Sequence, residues 1–186
     1  MNSGSPFDTI LVAPRELVDV VFRCGRVAGL DSGSADRVAR NVTAAEVGYG
    51  GALEAFLDAL GEPSRLVPEF VAGPDALAIA EVEARRSGSA EAVFPAPVPV
   101  AAVALDVDGV RGRGQGVSGI PDGADGSSTV GRLVVGGGPE PRAVDAGAHA
   151  AVARDGIRVD AEAFVGLSRF AHAFLVSEAV LDAADA

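Results

Sequence analysis

Apolar residues recur at helical spacing along the first part of the chain. Between residues 14 and 28 they fall three or four positions apart, and Pro14 stands at a natural first helical position. A second helix is predicted to run from caps at residues 31–34 to about Val47. Its apolar face is narrow and consists of small residues, namely Ala35, Val38, Val42 and Ala45. Because small faces allow close approach, we expect these two helices to form an antiparallel hairpin.

The glycine-rich stretch at residues 48–51 interrupts this helical pattern. It is followed by a third short amphipathic helix that ends at Gly61, and residues 63–71 are expected to add one or two further turns. The apolar positions of the third helix are Leu53, Phe56, Leu57 and Leu60.

After Gly73 the pattern changes to runs typical of strands. Residues 76–84 are ambiguous, whereas residues 97–107 are predicted to be a strand, with 100–107 inside the sheet and the nearby prolines at its rim. Residues 129–135 are a second strand candidate. Residues 7–12 are predicted to be an edge strand or a docking arm.

The end of the chain predicts a strand and a long helix. Residues 143–154 are apolar and rich in alanine, and Asp155-Gly156 then turns the chain, as a helix C-cap or a hairpin, into a strand at 157–159. Asp160 is a good N-cap for a final helix that ends near Ala183. Its buried stripe comprises Phe164, Leu167, Ala171, Phe174 and Leu175.

Together these elements predict an α+β fold in one domain of residues 1–186. A helix hairpin, a third helix and a C-terminal helix would pack on a small, mostly antiparallel sheet. The helical part spans 14–72, the β-rich part spans 73–159 and the C-terminal helix spans 160–184. A glycine-rich segment at 108–128 buries little, so we expect a flexible loop there.

Composition narrows the possible chemistry. All 15 basic residues are arginine, so mechanisms that need a lysine base, Schiff base or phosphate-binding lysine are excluded. A net charge of −11 argues against nucleic-acid binding. Cys24 cannot form an internal disulfide, and its place among apolar residues predicts an inert, buried thiol. The absence of a signal-like start or a long apolar run predicts a cytoplasmic protein without membrane contact.

Two motifs offer weak evidence for a cofactor-binding site or a metal-binding site. Gly114, Gly116 and Gly119 match a G-x-G-x-x-G pattern, but the helix that would hold a pyrophosphate does not follow. Aspartates at 106, 108, 122 and 125 precede or flank glycines, an arrangement that turns favour for backbone reasons and that does not match a calcium loop. We therefore predict no cofactor and no metal.

The candidate catalytic residues are His172 and Ser168, which lie one helical turn apart on the last helix. His172 and His149 are the only side chains that ordinarily titrate near neutral pH, so a general base would be one of them or a carboxylate of raised pKa. A partly buried structural histidine is the competing interpretation. The arginine pairs 85–86 and 111/113 either receive a carboxylate or phosphate group or offset local negative charge.

Two stretches carry resemblances to known families. Residues 16–51, with Arg23-Cys-Gly-Arg-Val-Ala-Gly29 and Ala44-Ala-Glu-Val-Gly48, resemble the N-terminal helices of the malate/L-lactate/sulfolactate dehydrogenase family. That family's segment ends in Ser-His-Gly with a catalytic histidine, and the corresponding place here reads Gly48-Tyr49-Gly50-Gly51, without histidine. At both ends, though not in the middle, the chain is similar to an uncharacterised bacterial domain family of about this size. The similarity lies in this hairpin and in Gly156-Ile-Arg-Val159, Leu167 and Ala171-His-Ala-Phe-Leu-Val176.

Three functional hypotheses remain. The first is an accessory or interaction protein in bacterial small-molecule metabolism, a homo-oligomer or a partner's non-catalytic subunit, with Val38 and Val42 on its contact face. The second is a small enzyme that uses His172 or a carboxylate as acid and base beneath a mobile 108–128 lid. The third is a carrier or sensor for a small-molecule ligand.

Overall fold

The computed structural model describes residues 9–137, 152 and 154–184, with side chains as far as Phe174 except that of Pro63. It has an α+β fold in which helices pack with two small antiparallel sheets, and this confirms the predicted fold class. The helices are α1 (Pro14–Val27), α2 (Ser32–Gly48), α3 (Ala52–Gly61), α4 (Pro63–Leu66), α5 (Gly73–Ser87), α6 (Val100–Gly112) and α7 (Ala161–Ala184). The strands are β1 (Thr9–Val12), β2 (Ser89–Pro99), β3 (Val117–Ser118), β4 (Thr129–Gly136) and β5 (Ile157–Asp160).

The predicted helix hairpin is confirmed. Pro14 is the first residue of α1, and the side chain of Asp31 caps α2 by accepting hydrogen bonds from the backbone N–H groups of Gly33 and Ser34, at 2.9 and 3.0 Å. At Gly25 a Cβ atom would lie 3.2 Å from the Cβ of Ala35, so the small residues do allow α1 and α2 to approach closely.

The face of α2 that consists of small residues is buried in the protein core. Val38 and Val42 are 1% and 0% exposed, and α2 packs between α1 and α6. The prediction that these valines form a contact face for another protein is therefore wrong, because both side chains are buried in the protein's own core.

The predicted strand at 100–107 is also wrong, since these residues begin α6. Most of α6 is buried, comprising Val100, Ala101, Ala102, Val103, Ala104, Val107 and Val110. A helix buried on nearly every side shows an uninterrupted apolar run, and such a run has the same appearance as a buried strand. The ambiguous residues 76–84 are likewise helical and belong to α5, which a π-helical turn (Val67–Ala72) joins to α4. The described part of the segment 73–159 thus contains two helices, α5 and α6, beside its strands.

The prolines lie within β2, which directly precedes α6 in the chain. The larger sheet has the order β2-β4-β3, so β2 is an edge strand, where prolines are tolerated. Its pairing with β4 shifts register between Val93 and Val98, around Pro95 and Pro97. The predicted strand at 129–135 is confirmed as β4. The second sheet pairs β1 with β5, which confirms the edge strand at the start of the chain and the strand at 157–159.

The C-terminal helix forms as predicted. The side chain of Asp160 accepts a hydrogen bond of 2.8 Å from the backbone N–H of Ala163 at the start of α7. On the core side of this helix, Leu167 is fully buried, and its carbonyl accepts a hydrogen bond from Sγ of Cys24 at 3.2 Å. Burial raises the pKa of Cys24 to about 12, which agrees with the inert thiol that the sequence predicts.

The segment 108–128 is more ordered than a loop. Its first residues complete α6, Val117 and Ser118 form β3 against β4, and Asp125 organises a tight turn. The carboxylate of Asp125 accepts hydrogen bonds from the backbone N–H groups of Ser127 and Ser128, at 3.0 and 2.8 Å. The predicted Ala-rich stretch 143–154 lies largely outside the described residues. Among the described helices, none is long and apolar enough to cross a membrane.

Candidate ligand-binding cleft

A cleft of about 450 Å³ opens between the end of α2 and the connection that follows β3. This volume lies within the range typical of small-molecule sites. The cleft is lined by Gly48, Tyr49, Arg111, Ile120, Pro121, Asp122, Gly123 and Ala124.

The end of α2 forms one wall of the cleft. Tyr49 is the C-cap residue of α2, and it is followed by Gly50 and Gly51 at φ values of 71° and 67°. Only glycine adopts these left-handed conformations without strain, so the chain can turn sharply from α2 into α3 at this place. The turn leaves the half-buried Tyr49 side chain at the edge of the cleft.

The carboxylate of Glu46 stabilises this turn through hydrogen bonds. Its Oε2 accepts hydrogen bonds from the backbone N–H groups of Ala52 and Leu53, at 2.8 and 3.1 Å, and so caps the start of α3. Burial raises the pKa of Glu46, although both backbone hydrogen bonds oppose the shift. Glu46 therefore matches the predicted carboxylate of raised pKa, and the contacts of its Oε2 are those of a helix cap.

The opposite wall is held to this turn by a backbone contact. The N–H of Gly126 donates to the carbonyl of Gly50 at 2.6 Å. A Cβ atom at Gly126 would lie 2.6 Å from Cα of Ala52, so only glycine fits here. Within the wall, the N–H of Ala124 donates to the carbonyl of Pro121 at 3.2 Å and closes a turn. The two walls are therefore joined at one end of the cleft.

Arg111 contributes the positive charge of the cleft. It lies in the last turn of α6, and its side chain is 16% exposed. One guanidinium nitrogen donates to the carbonyl of Val117 at 3.1 Å, and the other terminal nitrogen lies 3.7 Å from Oδ1 of Asp108. The first contact fixes the direction of the guanidinium. A guanidinium carries five N–H donors in one plane, which suits a carboxylate or a phosphate group.

The remaining lining residues complete a mixed surface. Ile120 is half-buried and Pro121 is exposed, and both supply apolar contact area. Asp122 is exposed at the same rim and carries a carboxylate. The cleft thus combines a cation, a phenol hydroxyl, an apolar patch and an acceptor for hydroxyl or ammonium groups.

The predicted catalytic pair lies elsewhere. His172 is exposed and Ser168 is half-buried on α7, and neither residue lines the Tyr49–Arg111 cleft. His149 lies outside the described residues. The structure therefore does not bring His172 to this cleft.

The glycine and aspartate motifs have local structural roles. Gly114, Gly116 and Gly119 surround the two-residue strand β3, and Asp106 and Asp108 lie within α6 instead of in a turn. In the part of the chain that the structure describes, no group of three or more His, Cys, Asp or Glu residues is arranged to hold a metal ion.

Two further arginines take part in ion pairs that join elements. Arg113 donates to both oxygens of Glu81 at 2.7 Å, and Arg85 donates to Oε1 of the same carboxylate at 2.8 Å. These contacts, with that from Arg113 the strongest, lower the pKa of Glu81 to about 2. Of the two arginine pairs considered for anion binding, Arg85 and Arg113 thus offset negative charge, and Arg111 faces the cleft.

The sequence contains the components of the cleft but does not show that they lie close together in space. Tyr49 was notable only for standing where the dehydrogenase family has its histidine, and Arg111 only as half of an arginine pair. The signal for both was the density of glycine at 48–51 and at 108–128, because glycine permits the turns and the close approach that bring the two segments together.

No family model, no curated protein and no solved structure matches this chain. The two resemblances described above therefore remain predictions, and the residues of the cleft carry the functional argument.

Proposed function

We propose that the protein is a cytoplasmic, non-catalytic accessory protein of bacterial small-molecule metabolism that binds a small anionic metabolite in the Tyr49–Arg111 cleft. The observation that carries the proposal is the position of Arg111, whose guanidinium is largely shielded from solvent and lines a cleft of metabolite size. A shielded cation in a concave surface attracts an anion more strongly than an exposed one, because less water screens it.

The negative charge of the rest of the chain confines anion binding to the site of Arg111. The chain carries a net charge of −11, so an anion is repelled over most of the surface. Asp108 lies 3.7 Å from the Arg111 guanidinium, a distance at which an ion pair is not a direct hydrogen bond. A ligand carboxylate that receives two N–H bonds from Arg111 would form the stronger interaction.

The other lining residues suggest the rest of the ligand. Asp122 would accept a hydrogen bond from a ligand hydroxyl or ammonium group, and Tyr49 would donate one to a ligand oxygen. Ile120 and Pro121 would cover a short apolar portion. We therefore favour a hydroxy acid or an amino acid over an unsubstituted fatty acid.

The residue at position 49 favours binding over catalysis. Where the resemblance to the malate/L-lactate/sulfolactate dehydrogenases implies a Ser-His-Gly motif with a catalytic histidine, this chain reads Gly48-Tyr49-Gly50-Gly51. Histidine titrates near neutral pH and exchanges protons readily there, whereas a tyrosine hydroxyl in its place supplies a hydrogen bond. The accessory function also includes a protein partner or a second copy of the chain.

Calorimetric titration with four ligand classes tests the proposal. The classes are short fatty acids, 2-hydroxy acids, amino acids and phosphate monoesters. We expect 2-hydroxy acids or amino acids to bind, and Arg111→Gln to weaken that binding about tenfold or more, which corresponds to the loss of a charge-assisted hydrogen bond. Arg132→Gln, at an arginine whose side chain is 63% exposed, pairs with Glu91 and does not line the cleft, is the matched control. Equal binding by wild type and Arg111→Gln would refute the assignment.

A further inference from the structure

The outer face of α5 carries a row of four exposed residues at regular spacing. These residues are Asp75, Ile79, Val82 and Arg86. They follow one another at intervals of four, three and four positions, which is the spacing of a seam along one side of a helix. Ile79 is 71% exposed and Val82 is 53% exposed, so the centre of the row is apolar and open to solvent.

The row is symmetric about its own midpoint. The midpoint of the row falls between Ala80 and Glu81, and the acidic and basic ends are equally distant from it. If two copies of α5 lie antiparallel about a two-fold axis through this midpoint, Ile79 of one copy meets Val82 of the other. At each end, Asp75 then meets Arg86 of the other copy. The row is thus complementary to itself in shape and in charge.

We propose that this face of α5 is a self-association surface and that its partner is a second copy of the chain. The opposite charges at the two ends select the antiparallel orientation, because a parallel pair would place Asp75 against Asp75 and Arg86 against Arg86. The apolar centre provides the favourable burial. This proposal does not depend on ligand binding in the Tyr49–Arg111 cleft.

The neighbours of the row fit the same arrangement. Ala78 and Glu83 flank the seam, are both exposed, and are equally distant from the midpoint, so the antiparallel pair places each glutamate beside a small residue. Asp75 already receives a hydrogen bond of 2.6 Å from Arg37, and this contact holds its carboxylate in place at the end of the row. A carboxylate can accept from two arginines, so the contact with the second copy does not require Arg37 to leave.

The size of the surface sets the expected affinity. A single pair of helices of this length buries less than the roughly 1,200 Å² of a standard interface. We therefore expect a reversible dimer with a dissociation constant of micromolar order, which forms as protein concentration increases.

Sedimentation over a range of concentrations, at physiological ionic strength, tests whether this surface is used. We expect a monomer–dimer equilibrium in the wild type, and Ile79→Glu should raise the dissociation constant at least about tenfold, because each dimer contains the new charge twice. Val93→Glu is the control, since Val93 is 61% exposed on strand β2. A wild type that stays monomeric at high concentration overturns the proposal, as does a dimer that Ile79→Glu leaves intact.

Mixing two charge variants tests whether the charged ends of the row meet across the two copies. Asp75→Arg and Arg86→Asp should each form weak homodimers, because each places like charges opposite each other. An equimolar mixture should form the heterodimer in clear excess over the one half expected from random mixing, because both ends then carry opposite charges. Native mass spectrometry distinguishes the three species. Random mixing, or a complex with a different protein in place of a second copy, contradicts the proposal. Thermal melts show whether both variants fold. If either variant does not fold, the sedimentation experiment with Ile79→Glu remains the test.

Discussion

Asn41 and Asp106 hold α2 and α6 together through hydrogen bonds in both directions. The side-chain amide of Asn41 donates to Oδ2 of Asp106 at 2.8 Å, and its carbonyl accepts from the backbone N–H groups of Leu105 and Asp106, at 3.0 and 3.3 Å. Arg37 donates to both oxygens of Asp106 at 3.3 Å. Asn41 is 1% exposed, so this polar group is buried and its hydrogen bonds are satisfied.

Replacing Asn41 should therefore destabilise the protein. We expect Asn41→Leu to lower the free energy of unfolding by about 2 kcal/mol, because Asp106 loses one buried donor and keeps Arg37. Arg40→Ala, on the same helix, should cost less than about 0.5 kcal/mol, since the Arg40–Asp36 pair is exposed. Urea denaturation of both variants measures the difference. Equal effects would show that the Asn41 contacts do not contribute to stability.

Glu81 should make stability depend on pH in the acid range. Its pKa is lowered to about 2 in the folded protein, mainly by the hydrogen bond from Arg113. A lowered pKa means that the unfolded chain binds the proton more readily, so the stabilisation is present above about pH 4.5 and is lost as the pH falls towards 2.

The substitution Glu81→Gln tests this dependence. We expect a loss of about 2 kcal/mol near neutral pH, a value below that for fully buried pairs because Arg113 is 54% exposed. The loss should shrink as the pH is lowered. Glu83→Gln, two residues further along α5 and exposed, is the control and should have little effect. A loss of the same size at every pH would contradict the assignment.

Glu46 should behave in the opposite way. Burial raises its folded pKa, so the folded state holds the proton more readily and stability falls as the pH rises from the unfolded value through the folded one. We expect Glu46→Gln to retain wild-type stability at neutral pH, because an amide oxygen can still cap α3 without the buried charge. Glu46→Ala should lose about 1 kcal/mol with the cap. Thermal melts at neutral pH rank the two variants, and a lower melting temperature for Gln than for Ala would exclude this role.

Gly126 should be essential for the wall of the cleft. In Gly126→Ala the new methyl group would overlap the backbone of Ala52, so the segment that carries Ile120–Ala124 would have to move. We expect a loss of about 1–3 kcal/mol together with weaker ligand binding. Gly131→Ala is the matched control, because a Cβ atom there meets nothing within 4 Å. Unfolding and titration curves provide both readouts, and wild-type behaviour of Gly126→Ala would contradict the close contact.

Helices α1 and α2 were predictable from the sequence, and the largely buried helix α6 was not. In α1 and α2 the capping residues and the three-to-four spacing agree, so local signals were sufficient. In α6 the run from Val100 to Ala104 is apolar throughout, and no periodicity distinguishes a helix from a strand. The nearby prolines favoured a sheet assignment, and they do belong to the edge strand β2.

For a related reason, the sequence could not predict which helix faces are exposed and which are covered. The face with Val38 and Val42 had the features of a contact surface, but which surface covers it depends on tertiary packing. The same limit applies to the cleft. Tyr49 and Arg111 lie far apart in the chain, and the backbone contact between Gly50 and Gly126 that brings their segments together leaves no side-chain pattern in the sequence.

The most direct test of the proposed binding function is native mass spectrometry of the protein purified gently from its own source. We expect wild type and Arg132→Gln to carry a small acidic molecule that is released on denaturation. Arg111→Gln should carry little of it, and Tyr49→Phe should carry less than wild type, because each loses one contact in the cleft. If Arg111→Gln retains the same bound mass, or if the wild type is bare and also binds none of the four ligand classes, the Tyr49–Arg111 cleft is not a metabolite site.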